Sequence, residues 1–92
     1  MRAHVPVAVG NVVDYFPGEY DKLMAAPNGQ PLAAIVVHVW SDWSINVSVF
    51  DAQGDLFARH AVMRYPPESP QPAGVPRWDW PVHSWPPSEW SP

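Results

Sequence analysis

Residues 31–55, PLAAIVVHVWSDWSINVSVFDAQGD, contain two stretches in which side chains change face at every step. From about Ala33 to Trp40 the run is rich in β-branched residues and has period two, the signature of a strand. Ile35, Val37 and Val39 face one way, and Val36, His38 and Trp40 face the other. Ser41-Asp42 turns the chain into a second strand, where Ile45, Val47 and Val49 alternate with Asn46, Ser48 and Phe50. That is a half-buried pattern. Asp51 to Asp55 then reads as a hairpin loop, with Gly54 at the position where φ becomes positive.

The rest of the chain extends this reading in both directions. In PVAVGNVVDYF (6–16) a strand is expected from about Asn11 to Phe16, closed by Pro17-Gly18. Glu19 to Ala26 forms either one helical turn or a long loop, and Asn28-Gly29 marks a tight turn. LFARHAVMRY (56–65) is the return strand of the hairpin, and Pro66 to Gly74 is loop or polyproline II. Arg77-Trp78-Asp79-Trp80-Pro81 places two indoles on one face of an extended segment, and Pro81 suits the end of an edge strand.

Thirteen prolines and the lack of a long 3.6-period stripe exclude an all-helical protein. Five short strands in a meander close most naturally into a small barrel of SH3-like or OB-like kind. Strands of about 5–8 residues favour the SH3-like form. The expected fold is therefore all-β: a five-stranded SH3-like barrel with an extended C-terminal arm rich in Pro and Trp. Residues 1–10 form an N-terminal arm, 11–81 the barrel with a Pro-rich connector at 66–76, and 82–92 the C-terminal arm.

Composition narrows function. Ninety-two residues with a formal charge of −4 and only five basic residues (Arg2, Lys22, Arg59, Arg64 and Arg77) argue against nucleic acid as a partner. The valine-rich N-terminus is interrupted by Pro6, Gly10 and Asp14, too broken for a signal peptide or a membrane span. The chain has no cysteine, which removes disulfides and thiolate metal sites.

The strings DYFPGE (14–19), QPLAAIVVHVWSDWSINVSVFDAQGD (30–55), Val62 and WDWP (78–81) resemble a group of small proteins encoded by tailed bacteriophages and prophages. In that group an aromatic-Pro segment precedes an "AAIV…V.SD..VN…VFD..G" block, and a "W.WP" or "EWMPY"-like segment follows. The central block of about 25 residues carries the specific part of the likeness. The resemblance implies phage origin and a small β domain. The group has no assigned active site, so no catalytic residue transfers. HSWPPSEWSP (83–92) departs from the pattern by its excess of Trp and Pro, which leaves the roles of Trp85 and Trp90 open.

Catalytic and metal signatures are weak. His38 and His60 lie on strands that could be neighbours, with Asp42 or Asp51 near strand ends, but no HxH or HExxH spacing accompanies them. A hairpin turn accounts for DAQGD better than a calcium loop, because no distal Glu follows. Neither a nucleophile motif nor a phosphate-cradling glycine loop is present. Arg64-Tyr65-Pro66-Pro67-Glu68-Ser69-Pro70 fits RxxPxxP but reads first as a stiff connector. No enzyme activity, cofactor or metal is expected.

The tryptophans remain. Four of six fall in RWDWPVHSWPPSEW (77–90), whereas disordered tails are poor in aromatics. Trp40, Trp43, Trp78 and Trp80 are expected in or over the barrel. Trp85 and Trp90, spaced by Pro86 and Pro87, are the expected partner-binding residues of a stiffened arm. These features point to a non-enzymatic structural or interaction protein of a tailed phage, a virion accessory. It would decorate or cement the capsid or sit at the head–tail junction. The expected partners are capsid or connector subunits, and a homo-oligomer is compatible. Its place would be the virion, or the host cytoplasm before assembly. Two alternatives stay open: a carbohydrate-binding adhesin module using exposed Trp, and an early phage protein that binds a host protein.

Overall fold

Alternating side chains, broken by Gly- and Ser-bearing turns, produce five strands. The computed structural model describes residues 6–21, 23, 30–66, 70, 72 and 74–81. The strands are β1 (Val12–Phe16), β2 (Leu32–Val39), β3 (Ser44–Phe50), β4 (Leu56–Met63) and β5 (Arg77–Asp79). They form one closed barrel in the order β1-β2-β3-β4-β5, an SH3-like arrangement with no helix among the described residues. The described part of the Glu19–Ala26 segment is non-helical; the remainder of it, with Asn28-Gly29, lies outside the described residues.

β1 to β4 are an antiparallel meander, as the turn spacing predicts. β5 departs from that pattern. It pairs antiparallel with β1 through Asp14↔Asp79, Tyr15↔Trp78 and Phe16↔Arg77, and parallel with β4 at Met63↔Arg77. It is therefore a closing strand between two neighbours rather than an edge. Pro81 is tolerated because it lies past the last pair, where no ladder N–H is required.

The core is the inward row of each strand: Val13 and Tyr15 of β1, Leu32, Ala34 and Val36 of β2, Ile45, Val47 and Val49 of β3, Val62 of β4, and Trp78 of β5. Val7 and Leu23, outside the strands, complete the cluster. Regular alternation along β2 does not hold to its end. The register shifts between Val36 and His38, so Val36 is buried and Val39 also packs against the core, while Val37 between them is exposed. A bulge of this kind places two residues opposite one and turns the strand.

Trp78 seals the bottom of the cluster, with its Nε1–H donating to the Trp43 carbonyl at 3.0 Å. The Trp80 ring meets Trp78 edge-on, with centroids 5.5 Å apart, and packs against the core. Such pairs add about 0.5–1.5 kcal/mol beyond the area they bury. Around the same corner Arg64 donates Nε–H to Asp79 at 2.8 Å, and its guanidinium lies 5.2 Å from the Trp43 ring centroid. Both expected indoles of the final strand thus serve the barrel itself.

Gly18 ties two connections together. A Cβ there would lie 2.6 Å from Pro76 Cδ and 2.9 Å from the Gly74 carbonyl oxygen, so only glycine permits the approach. The neighbouring Glu19 N–H donates to the Gly74 carbonyl at 2.8 Å. The β1–β2 loop is thereby fixed against the segment that leads into β5.

Candidate interaction surface

Trp40 stands at the end of β2 with 64 % of its surface exposed. This corrects the expectation that it would lie in or over the barrel. The physical reason is the bulge at Val37, which re-aims the end of β2 away from the core. The indole is nevertheless held. Its Nε1–H donates to Asn46 Oδ1 at 2.9 Å, and the His38 ring meets it edge-on with centroids 4.4 Å apart. Beneath it the turn is stiff: Trp40 N–H donates to the Ser44 carbonyl at 2.9 Å, and Ser41 Oγ accepts from the Trp43 and Ser44 N–H groups at 3.2 and 3.1 Å.

Asn46 serves a second purpose. The same Oδ1 accepts from the Ala61 N–H at 2.8 Å. Ala61 has φ of 51°, the one non-glycine residue with positive φ among those described. It sits where the β3–β4 register shifts between Ile45 and Val47. A left-handed alanine costs about 1–2 kcal/mol, and such strain persists only where its surroundings enforce it. One side-chain oxygen therefore braces both a strained backbone and an exposed indole. Exposed Val37 and His60 fall within the two register shifts on either side of Asn46.

A second arrangement occupies the opening of the barrel beside β4. Arg59 opposes core residue Val47, so it belongs to the inward row of β4. It reaches the β1–β2 loop, donating Nη2–H to Asp21 Oδ1 at 2.6 Å and Nε–H to Asp21 Oδ2 at 3.1 Å. The Tyr15 hydroxyl donates to Oδ2, and the Leu23 N–H donates to Oδ1 at 2.9 Å. The Asp21 side chain is only 6 % exposed. Burial pushes its carboxyl up. The Arg59 guanidinium, the Tyr15 hydroxyl and the Leu23 N–H together outweigh burial and hold it at about 2. Tyr15 is pushed well above the ordinary phenol range, first by burial and then by the bond to Asp21. Arg59 is raised in turn, chiefly by its bonds to Asp21. Every oxygen of the carboxylate is engaged, so the cluster is a clasp.

The clasp and Gly18, Gly74 and Pro76 line a cleft of about 390 Å³, with Tyr20 almost fully exposed at its rim. This clasp escapes sequence reading. Asp21 and Arg59 lie 38 positions apart, no motif links them, and only the inward parity of Arg59 on β4 hints that the charge needs a partner. Asn46 likewise sits on an ordinary polar face of its strand.

Trp85, Pro86, Pro87 and Trp90 lie outside the described residues. His38 packs on Trp40, and among the described residues no group of three or more His, Cys, Asp or Glu side chains is placed to hold a metal ion. Asp51 is a turn residue, as expected: its Oδ1 accepts from the Gln53 and Asp55 N–H groups, both at 2.9 Å, and Gly54 has φ of 91°. Among the described residues no helix is long and apolar enough to cross a membrane. Comparison with protein-family models, with curated proteins and with solved structures finds no match to this chain.

Proposed function

We propose that this chain is a non-enzymatic interaction protein, a rigid barrel that binds neighbouring protein subunits through presented aromatic side chains. The observation that carries the proposal is Trp40, largely exposed yet held by Asn46 and His38. A pre-ordered indole on a stiff turn loses little entropy on binding, and Trp is the residue most enriched at interface hot spots. The titratable residues of the clasp are engaged with one another, which fits a structural role for them. The resemblance of residues 14–19, 30–55, Val62 and 78–81 to tailed-phage proteins supports a virion as the natural setting, with the chain as a capsid-decorating, cementing or head–tail accessory. Trp85 and Trp90, spaced by Pro86 and Pro87, are the proposed second contact.

Quantitative mass spectrometry of purified particles from the encoding phage tests this reading. High copy number in wild-type particles, reduced at least about tenfold by Trp40→Ala, is the expected result for loss of a hot spot. Absence from particles would favour a host-directed protein. Glycan binding lost on Trp40→Ala would favour an adhesin.

A further inference from the structure

Exposed valines gather at one end of the β1–β2 pair. Val9, Val12 and Val37 are 65, 55 and 50 % exposed. Val12 pairs with Ile35, and the Gly10 N–H donates to the Val36 carbonyl at 2.8 Å, which sets Val9 and Val12 beside the Val37 bulge. No Asp, Glu, Lys or Arg interrupts residues 9–12 or 35–37. Single exposed valines are ordinary, whereas a contiguous apolar cluster marks a surface that something covers.

The C-terminal arm, residues 82–92, leaves the barrel at this place. Trp78 is buried and Trp80 packs against the core, so the inward parity of β5 continues as far as Trp80. Carried two residues beyond Asp14↔Asp79, the β1–β5 register sets Pro81 beside Val12 on the outer face. Because β5 runs antiparallel to β1, the chain beyond Pro81 heads towards Gly10 and the valine cluster. Adjacent strands lie about 4.8 Å apart, so Val37 on β2 is about 10 Å across the sheet from Pro81. Polyproline-like chain covers about 3.1 Å per residue, and Trp85, four residues past Pro81, reaches that far.

We infer that in the free protein the C-terminal arm folds back on its own barrel and seats the Trp85 indole over Val12 and Val37. A buried aromatic removes about 150–250 Å² from water, and the valines supply an apolar seat for it. VHSWPPS (82–88) carries no Asp, Glu, Lys or Arg, so docking strands no charge on apolar surface. Pro81, Pro86 and Pro87 restrict the undocked arm and lower the entropy lost on ordering it. The short tether favours the same chain over a second copy, because a site a few residues away sees the arm at an effective concentration on the order of millimolar. The inference rests on the proposed second contact only for its consequence: a partner that engages Trp85 competes with the barrel for it.

Nuclear Overhauser contacts in the full chain with ¹³C-labelled valine methyl groups test the docking. Cross-peaks from the Trp85 ring to the Val12 and Val37 methyl groups are expected, unchanged on dilution and absent between labelled and unlabelled copies in a mixed sample. Val37→Asp puts a carboxylate in the seat. It is expected to abolish the Trp85–Val12 cross-peaks and to lower the Trp85 indole order parameter from near about 0.8 to below about 0.6. Leu56→Asp, at an exposed apolar position on β4, is expected to leave both readouts as in the wild type. A wild-type Trp85 ring without valine contacts overturns the inference, as do cross-peaks that arise only between copies or that Leu56→Asp removes as well. Trp40→Ala separates this inference from the proposed function: it is expected to weaken partner binding while leaving Trp85 on the valines.

Discussion

Trp78 and Trp40 donate their indole N–H groups at nearly the same distance, 3.0 and 2.9 Å, yet one is 1 % exposed and the other 64 %. For Trp78 the bond is obligatory, because a buried N–H without a partner costs about 1–3 kcal/mol. For Trp40 it is not, since water would serve the same group. The bond at Trp40 fixes position more than it adds stability. That is the arrangement expected of a side chain presented to a partner, as proposed above.

The difference sets the scale of the expected effects. Trp78→Ala should cost about 3–5 kcal/mol, comparable with the whole stability of a small domain, and leave the chain largely unfolded by circular dichroism. Trp40→Ala should cost under about 1 kcal/mol in a urea titration while weakening partner binding at least about tenfold. A large stability loss at Trp40 would erase the contrast.

Asp21→Asn comes next. It leaves Arg59 in the inward row without a counter-charge and should cost about 1–3 kcal/mol in the same titration. The pH dependence follows from the depressed carboxyl. With an unfolded value near 3.9 and a folded value of about 2, its stabilisation is fully present above pH ~4 and is lost as pH falls towards 2. The wild-type acid limb should steepen in that window, and Asp21→Asn should flatten it.

Asn46→Ala removes the acceptor shared by Trp40 and Ala61, with an expected loss of about 1 kcal/mol and a fall in the fluorescence anisotropy of the exposed indole. The smallest effect has the opposite sign. Ala61→Gly relieves about 1–2 kcal/mol of left-handed strain and gives back about 0.4–1 in unfolded-chain entropy, a net gain of about 0–1.6 kcal/mol in the melting analysis. A loss there would mean that the alanine methyl matters more than its φ.

The alternation in residues 31–55 made β2, β3 and their hairpins legible, because burial of one face imposes a period of two on the sequence. The two indoles of WDWP were legible for the same reason. Less legible was anything made by a register shift. A bulge changes which parity faces the core, and neither Val37 nor Ala61 carries a residue type that announces one. The crossover of β5 onto β1 was equally silent, since strand order depends on long-range packing and the Pro81 signal fits an internal strand as well as an edge. The Asp21–Arg59–Tyr15 clasp joins β1, a loop and β4 across the chain, and pairings of that separation leave no local trace. Trp40 was counted among the barrel tryptophans because indoles are usually buried, and the geometry of one bulge reversed that.

Relaxation of the ¹⁵N-labelled indole groups tests the central claim most directly. The account predicts that the Trp40 Nε1–H is as ordered as that of Trp78 in the free protein, with order parameters near about 0.8 for both. A Trp40 value below about 0.6, with Trp78 still rigid, would mean an indole sampling water freely and would contradict the idea of a presented binding side chain.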